Sequence, residues 1–365
     1  MKVLFAIAHF DKGGGQAIQA LQLIRALRSQ IEVHALSLTA SGGGFDAAPE
    51  DGMEVVGRLR FPSGVGRLRR AIAQRMRSYD LVQALDMYYA LPAARLAGAH
   101  PRAVRLGHHP IEDLGSRYGW TGRTAMRLAS PWLFEGTAVV VNSQHLLEAF
   151  APGKAHLIAN GVDVDRFASP PHRRDARVAL GIPLDVPLAA FTGKIVPRKN
   201  LEDLFSLLTK LSDLHLLLVG NRSEPYYGDT YYRSLTSRWP DVLDRVHAVG
   251  EVSMTAIPRY LEASDLFLFP SRLEGMPNSM LEAMAAELPV VAADFPAHRA
   301  ILPEEAGLLY GNLDQLEHQV RDLIADEPRR RRMGRFGRRF VMDRFGFPAA
   351  ASAYVGLYRS LLGES

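Results

Sequence analysis

The 365-residue sequence contains no cysteine, which excludes disulfide frameworks, thiolate metal sites and thiol nucleophiles together and permits a reducing compartment. It also lacks any run of the ~18 to 20 uninterrupted apolar residues that a membrane-crossing helix requires. The apolar run at residues 3–8 is too short for a signal peptide, has no small-residue cleavage site and is cut off by Asp11 and the glycines that follow, so it reads as a first strand. Internal repeats, coiled-coil heptads and low-complexity tracts are absent. Neither sign of charge dominates: 43 basic against 39 acidic side chains leave a formal +4, which suits an anionic ligand or surface without demanding one.

The length is too great for one hydrophobic core and predicts two domains. Short, almost wholly apolar runs recur at residues 138–141, 188–191, 214–219, 266–269 and 290–293, the signature of strands buried on both faces of a parallel sheet. Helix-period segments lie between them, such as Ala20, Leu23, Ile24 and Leu27 after the first strand. The alternation predicts repeated βαβ units. Prolines and charges at residues 168–187 interrupt the periodicity, placing a boundary between domains at 1–168 and 169–345.

The run at 266–269 leads through Pro270-Ser271-Arg272-Leu273-Glu274-Gly275-Met276-Pro277-Asn278 into the strong helix formers from Ser279 to Ala286. Ligands of open α/β sheets bind beyond the carboxyl ends of strands, and a helix capped by Asn278 or Ser279 would point free N–H groups at an anion. Glu274 and Glu282 fall on either side of that helix start, and carboxylates prefer neutral hydroxyls to phosphates as partners. A phosphorylated carbohydrate meets both demands. The run at 188–191 ends in Thr192-Gly193-Lys194-Ile195-Val196-Pro197-Arg198-Lys199-Asn200, which brings Lys194 and Lys199 to the same kind of strand end.

Glu274 and Glu282 form a Glu-x7-Glu spacing which, with Pro289-Val290-Val291-Ala292, resembles retaining glycosyltransferases of family 4. Asn160-Gly161-Val162-Asp163 with Arg166-Phe167, the Gly193 to Asn200 loop, and Val249-Gly250-Glu251-Val252 before Asp265 are similar to the same family, in the same order. The resemblance implies a GT-B fold, two Rossmann-like domains with parallel sheets facing across a cleft, and a C-terminal helix over about 346–365 packing back on the first domain. It implies a metal-independent, retaining transfer from a nucleotide-diphosphate sugar. Glu274 would contact the donor sugar, Glu282 the ribose, and Lys194 and Lys199 the diphosphate. Gly275 and Met276 would approach the sugar, the Ser279 and Met280 amides the distal phosphate, and Gly250 and Val252 the base. The sequence departs from the family at Glu287, where Gly is frequent, at residues 294–300, which lack a frequent Glu, and at Lys194, where an Arg is usual.

In the first half, Gly13, Gly14, Gly15 and Gln16 form a glycine-rich turn without the third glycine of a dinucleotide fingerprint. The resemblance places it against the donor phosphates or the acceptor, and a histidine near the reacting centre; both His108 and His109 qualify, His108 first. Asp163-Val164-Asp165 mimics a metal motif and reads as structural. The basic block at residues 329–332, with Arg335, Arg338 and Arg339, reads as a solvated helix face. Between Arg58 and Arg77, a helix with Val65, Leu68, Ile72 and Met76 on one face reads either as a packed helix or as a contact with an anionic membrane. The expected partners are a nucleotide sugar and a glycan, lipid-linked or small-molecule acceptor, with no nucleic acid, no cofactor and no metal. The expected location is the cytoplasm, extending to the inner face of the membrane. A nucleotide-sugar epimerase of the same fold and a non-catalytic binding protein are the rival readings.

Overall fold

The computed structural model describes residues 1–8, 15–39, 53–57, 62–107, 109–150, 153–167, 173–221, 229–272 and 274–364, with backbone alone at 15–18, 116 and 117. The chain divides into two compact units, Met1–Gly161 with Phe347–Ser365, and Val162–Gly346.

The first unit holds a parallel sheet of β1 (Lys2–Ile7), β2 (Glu32–Ser37), β3 (Met53–Val55), β4 (Leu81–Ala84), β5 (Arg102–Leu106), β6 (Ala138–Val141) and β7 (Ala155–Leu157). Their order is β3-β2-β1-β4-β5-β6-β7. Helix Gly15–Leu27 buries Ala20, Leu23, Ile24 and Leu27, the face its period predicts. The C-terminal helix Phe347–Leu362 packs with it through Tyr354, Val355 and Tyr358, and the buried Tyr358 hydroxyl donates to Gln83 Oε1 at 3.0 Å.

Helix Ser63–Arg75 spends its apolar face on this core: Val65, Leu68, Ala71 and Ile72 are buried with Leu36, Leu38 and Leu91. Arg67, Arg69 and Arg70 remain exposed, and Arg75 ion-pairs with Glu54 at 2.7 Å. The packed-helix alternative therefore accounts for its pattern. Residues 58–61 lie outside the described residues.

The second unit holds β8 (Leu188–Thr192), β9 (His215–Val219), β10 (Val246–Gly250), β11 (Leu266–Phe269), β12 (Val290–Ala293) and β13 (Gly307–Tyr310), all parallel, in the order β10-β9-β8-β11-β12-β13. Every residue of β8, β11 and β12 is buried, as two-sided cover requires. The periodicity expected to be broken throughout 168–187 resumes in a helix, Arg173–Leu180. Its buried Arg177 donates to the carbonyls of Leu184 and Val186 at 2.6 and 2.9 Å and to Asp265 Oδ2 at 2.7 Å. That clamp, not local periodicity, orders the proline-rich approach to β8.

The basic block lies on helix Glu327–Phe345, and the solvated-face reading needs correction at two positions. Arg330 donates to Leu323 O and Ile324 O at 2.5 and 2.7 Å; Arg338 donates to Ala285 O and Phe167 O at 2.5 and 2.9 Å. Both satisfy carbonyls at the ends of neighbouring elements, which helix ends leave unpaired. Arg331, Arg332, Arg335 and Arg339 are exposed.

Glu287, just past helix Asn278–Ala285, has φ 59°. That left-handed conformation explains why glycine suits the position. Glu287→Gly is expected to stabilise the protein by up to about 1 kcal/mol, read as a raised Tm; an unchanged or lowered Tm would show that the side chain compensates.

At the amino ends of β9 and β10, His215 Nδ1 and His247 Nε2 are 3.0 Å apart with stacked rings. Burial pushes both imidazoles below their ordinary range, reinforced by Arg245 and Arg177 and opposed by Asp244 at His215, and reinforced by His215 at His247. As pH falls through the ordinary histidine range, about 6.5, the unfolded chain takes up protons before the folded one. Stability is therefore present above that range and lost below it. Urea midpoints should drop between neutral pH and about pH 5.5, and less so in H215F/H247F; equal drops would assign the effect elsewhere.

Candidate active site

Strand order in the second unit reverses between β8 and β11, and the crevice beyond the carboxyl ends of two such strands is where open α/β sheets bind ligands. The loop after β8 is pinned there by backbone bonds from Gly193 to Val219 O and from Ile195 to Asn221 O, each 2.9 Å. Gly220 must lack a side chain, since a Cβ would lie 1.8 Å from Gly193 O. Asn200, at φ 51°, ends the turn and donates to Asp203 Oδ2 at 2.7 Å and to Pro270 O at 3.4 Å, tying this loop to the one after β11.

The two loops place Lys199 against Glu274, both largely buried. Glu274 Oε1 accepts from Lys199 Nζ and, at 2.6 Å, from the buried Ser271 hydroxyl, while Arg198 stands 3.9 Å off at the rim. Among the described residues these bonds all fall on Oε1, which leaves Oε2 to accept from a ligand. Burial pushes the Lys199 ammonium below its ordinary range, Glu274 opposes that, and Arg198 and Lys194 add to it. Lys199 Nζ also lies 5.2 Å above the Phe269 ring. Against that ring, 5.0 Å away, stands the buried His298. Its Nδ1 bonds Ala293 O at 2.7 Å, its Nε2 has no partner among the described residues, and burial pushes the imidazole below its ordinary range, opposed by the bond to Ala293.

Glu282, on helix Asn278–Ala285, pairs with Arg166 at 3.2 Å. Burial pushes its carboxyl upward and Arg166 offsets that. Asp163 Oδ1 accepts the Arg166 backbone N–H at 3.3 Å, and the guanidinium lies 4.9 Å over the Phe167 ring, so Asp163 has a structural task as expected. The expected capping is corrected: Asn278 is the first helical residue, and Pro277, which has no side-chain acceptor, holds the cap position. Met280 N–H donates to Pro277 O at 3.0 Å, so of the two amides expected at a phosphate this one is engaged within the turn. Gly275 and Met276 lead into that helix; Gly250, at φ 88°, ends β10, with Val252 two residues on and Lys194 exposed after β8. Lys194, Lys199, Gly250, Val252, Glu274, Gly275, Met276 and His298 all follow the carboxyl ends of strands of one sheet.

A model of "Glycosyl transferases group 1" matches residues 172–340, and one of "Glycosyltransferase Family 4" matches residues 13–166. A GDP-mannose-dependent monoacylated alpha-(1-6)-phosphatidylinositol monomannoside mannosyltransferase of Corynebacterium glutamicum is 30% identical over 309 residues, 78% of each chain. The chain belongs to glycosyltransferase family 4. A Mycobacterium tuberculosis mannosyltransferase with GDP-mannose and phosphatidylinositol monomannoside in its name is 28% identical over 348 residues, 86% of this chain and 85% of its own. Among solved structures, sucrose-phosphate synthase of Thermosynechococcus elongatus covers 100% of both chains at TM-score 0.81 and 22% identity. Anabaena HepE, crystallised with UDP and glucose, covers 99% of this chain and 100% of its own at TM-score 0.79 and 22% identity. These likenesses and the two parallel sheets establish the GT-B fold, and the protein is a nucleotide-sugar glycosyltransferase.

In the first unit of this glycosyltransferase, Gly13, Gly14 and His108 lie outside the described residues, and Gly15 and Gln16 open a helix. His109 sits at the start of helix Pro110–Phe134, its ring 5.8 Å from Phe150 and its buried Nδ1 without a hydrogen-bond partner among the described residues. Asp86 was not singled out from the sequence. Its Oδ2 accepts from Ala8 N at 2.8 Å, at the end of the first strand, and its Oδ1 from Tyr88, Tyr89 and Ala90 N–H groups. Burial pushes that carboxyl up and the four N–H donors pull it back. The one local signal was an Asp just before a helical stretch. Arg166 and Ser271 stand within the family-like segments but had no role assigned there, Arg166 because its partner Glu282 lies 116 positions away, and His298 lies in the stretch 294–300 that was read only for its missing Glu.

Proposed function

We propose that this glycosyltransferase binds a nucleotide-diphosphate sugar at the carboxyl edge of β8 and β11 and transfers the sugar with retention of configuration, without a divalent metal. The observation that carries the reading is the buried Lys199–Glu274 pair, braced by Ser271. Lys199, Lys194 and Arg198 supply fixed positive charge for the departing diphosphate, the service a metal performs elsewhere. Glu274, held through Oε1, keeps an oxygen for sugar hydroxyls, and its tether disfavours a covalent nucleophile. Glu282, steadied by Arg166, takes the ribose; Gly275, Met276, Ser279, Met280, Gly250 and Val252 line the donor. The Gly13 to Gln16 turn and one of His108 and His109 serve the acceptor and the reacting sugar. The mannosyltransferase relatives support a glycan or glycolipid acceptor. Work at the cytoplasmic face, with peripheral contact to anionic lipid, completes the proposal. The epimerase reading is not favoured.

Melting curves with UDP-, GDP-, ADP- and dTDP-sugars in the presence of a chelator test this, since a ligand of the folded state alone raises Tm. A responder under chelator supports the donor site and metal independence. A response only with added Mg2+ or Mn2+ removes the second, and none at all removes the first. The anomeric configuration of the product, read by NMR, decides retention.

A further inference from the structure

Helix Pro110–Phe134 is broken at Tyr118 and Gly119, where φ and ψ leave the helical region (61° and −142° at Gly119). The leg after the break turns Met126 and Leu133 into the core with Val104 and Val139. Its opposite side is out of keeping with a solvated surface. Trp120 is 77% exposed, Leu128 78%, Trp132 46% and Tyr118, at the break, 63%. Trp120, Leu128 and Trp132 are spaced by multiples of four residues, so they stand in one row along the helix. Arg123 and Arg127, both exposed, occupy the adjacent row. From Leu114 to Phe134 the sequence has Arg117, Arg123 and Arg127 and no acidic residue. Arg95, whose guanidinium lies 5.0 Å over the Trp132 ring, has Glu135 as its ion-pair partner at the end of the helix.

We propose that this outer face docks the protein on an anionic lipid bilayer, with Trp120, Leu128, Trp132 and Tyr118 entering the headgroup region and Arg123 and Arg127 meeting lipid phosphates. Tryptophan and tyrosine favour that depth because their rings are apolar with a polar edge, and basic side chains add attraction to anionic leaflets. Among the described residues no helix is long and apolar enough to cross a membrane, so the helix lies on the surface. Charge argues against a second copy of the chain as occupant: two such faces would bring arginines together with no acidic residue between Leu114 and Phe134 to answer them. Helix Ser63–Arg75 offers only charge, its apolar residues being buried. The inference rests on the peripheral-contact part of the proposed function and names its surface.

Flotation with phosphatidylcholine vesicles, with and without phosphatidylglycerol, tests the inference on the full chain. Binding should require the anionic lipid, weaken with salt, and fall about tenfold or more in W120S/L128S and detectably in R123Q/R127Q. In a W132F/W239F background, Trp120 emission should shift to the blue on anionic vesicles only. Equal binding of W120S/L128S, equal binding to neutral vesicles, or a concentration-dependent dimer abolished by W120S/L128S would each overturn the inference. The nucleotide-sugar melting shift, unchanged in W120S/L128S, separates loss of docking from misfolding and from failure of the donor site.

Discussion

Lys199→Ala is expected to lower kcat/KM by at least about a hundredfold, the scale of one lost charge-stabilising group at a reacting centre. The lysine is buried beside Glu274, so removing it also strands a carboxylate on which, among the described residues, the Ser271 hydroxyl and the more distant Arg198 remain. Breaking a buried pair from one side costs about 3 to 5 kcal/mol, and the variant should melt lower for that reason alone. The stability effect is isolated in K199A/E274Q, read against E274Q alone. A neutral amide no longer needs the ammonium, so Tm should recover while turnover does not. Recovery of both would make Lys199 a structural partner of Glu274 and remove it from the chemistry. Lys199→Arg keeps the charge but enlarges the head beside Phe269, and it should retain more donor-induced melting shift than Lys199→Ala.

Gly334→Ala should destabilise the protein even though it replaces glycine by the best helix former in the middle of helix Glu327–Phe345. Propensity favours alanine by about 1 kcal/mol. The built Cβ, however, would stand 1.9 Å from Glu287 O and 2.6 Å from Glu287 C, which are backbone atoms and cannot rotate away. Overpacking of this kind costs about 1 to 3 kcal/mol or more, enough to reverse the propensity gain. A net loss corresponds to a Tm lowered by about 2 to 4 °C for each kcal/mol in a domain of this size. Gly356→Ala, in helix Phe347–Leu362 with nothing within 4 Å of the built Cβ, should move Tm the opposite way. A stabilised Gly334→Ala would mean that helix Glu327–Phe345 and the Glu287 backbone do not approach so closely.

Residues whose meaning is local were legible before any coordinates. The runs at 138–141, 266–269 and 290–293 became β6, β11 and β12 because a strand covered on both faces has to be apolar along its whole length. The Glu-x7-Glu spacing was legible for a similar reason, a loop and the first turn of a helix being continuous in sequence. Arg330 and Arg338 were misread as solvated because a carbonyl acceptor leaves no trace in composition. Helix Arg173–Leu180 was missed because its order comes from Asp265, 88 residues beyond Arg177.

The sequence by itself determined that two parallel-sheet units exist, which strands are buried, and which residues carry the family's pattern, since burial and helix period are written in the order of apolar residues. The tertiary structure alone decided that Glu282 meets Arg166, 116 positions away, that Lys199 meets Glu274, 75 positions away, and that His298 packs edge-on against Phe269. It also decided that the apolar face of helix Ser63–Arg75 is spent on the core while the Trp120–Trp132 row is not. These outcomes follow from strand order and from which side of a sheet each helix packs on, and neither is encoded in any short stretch of chain.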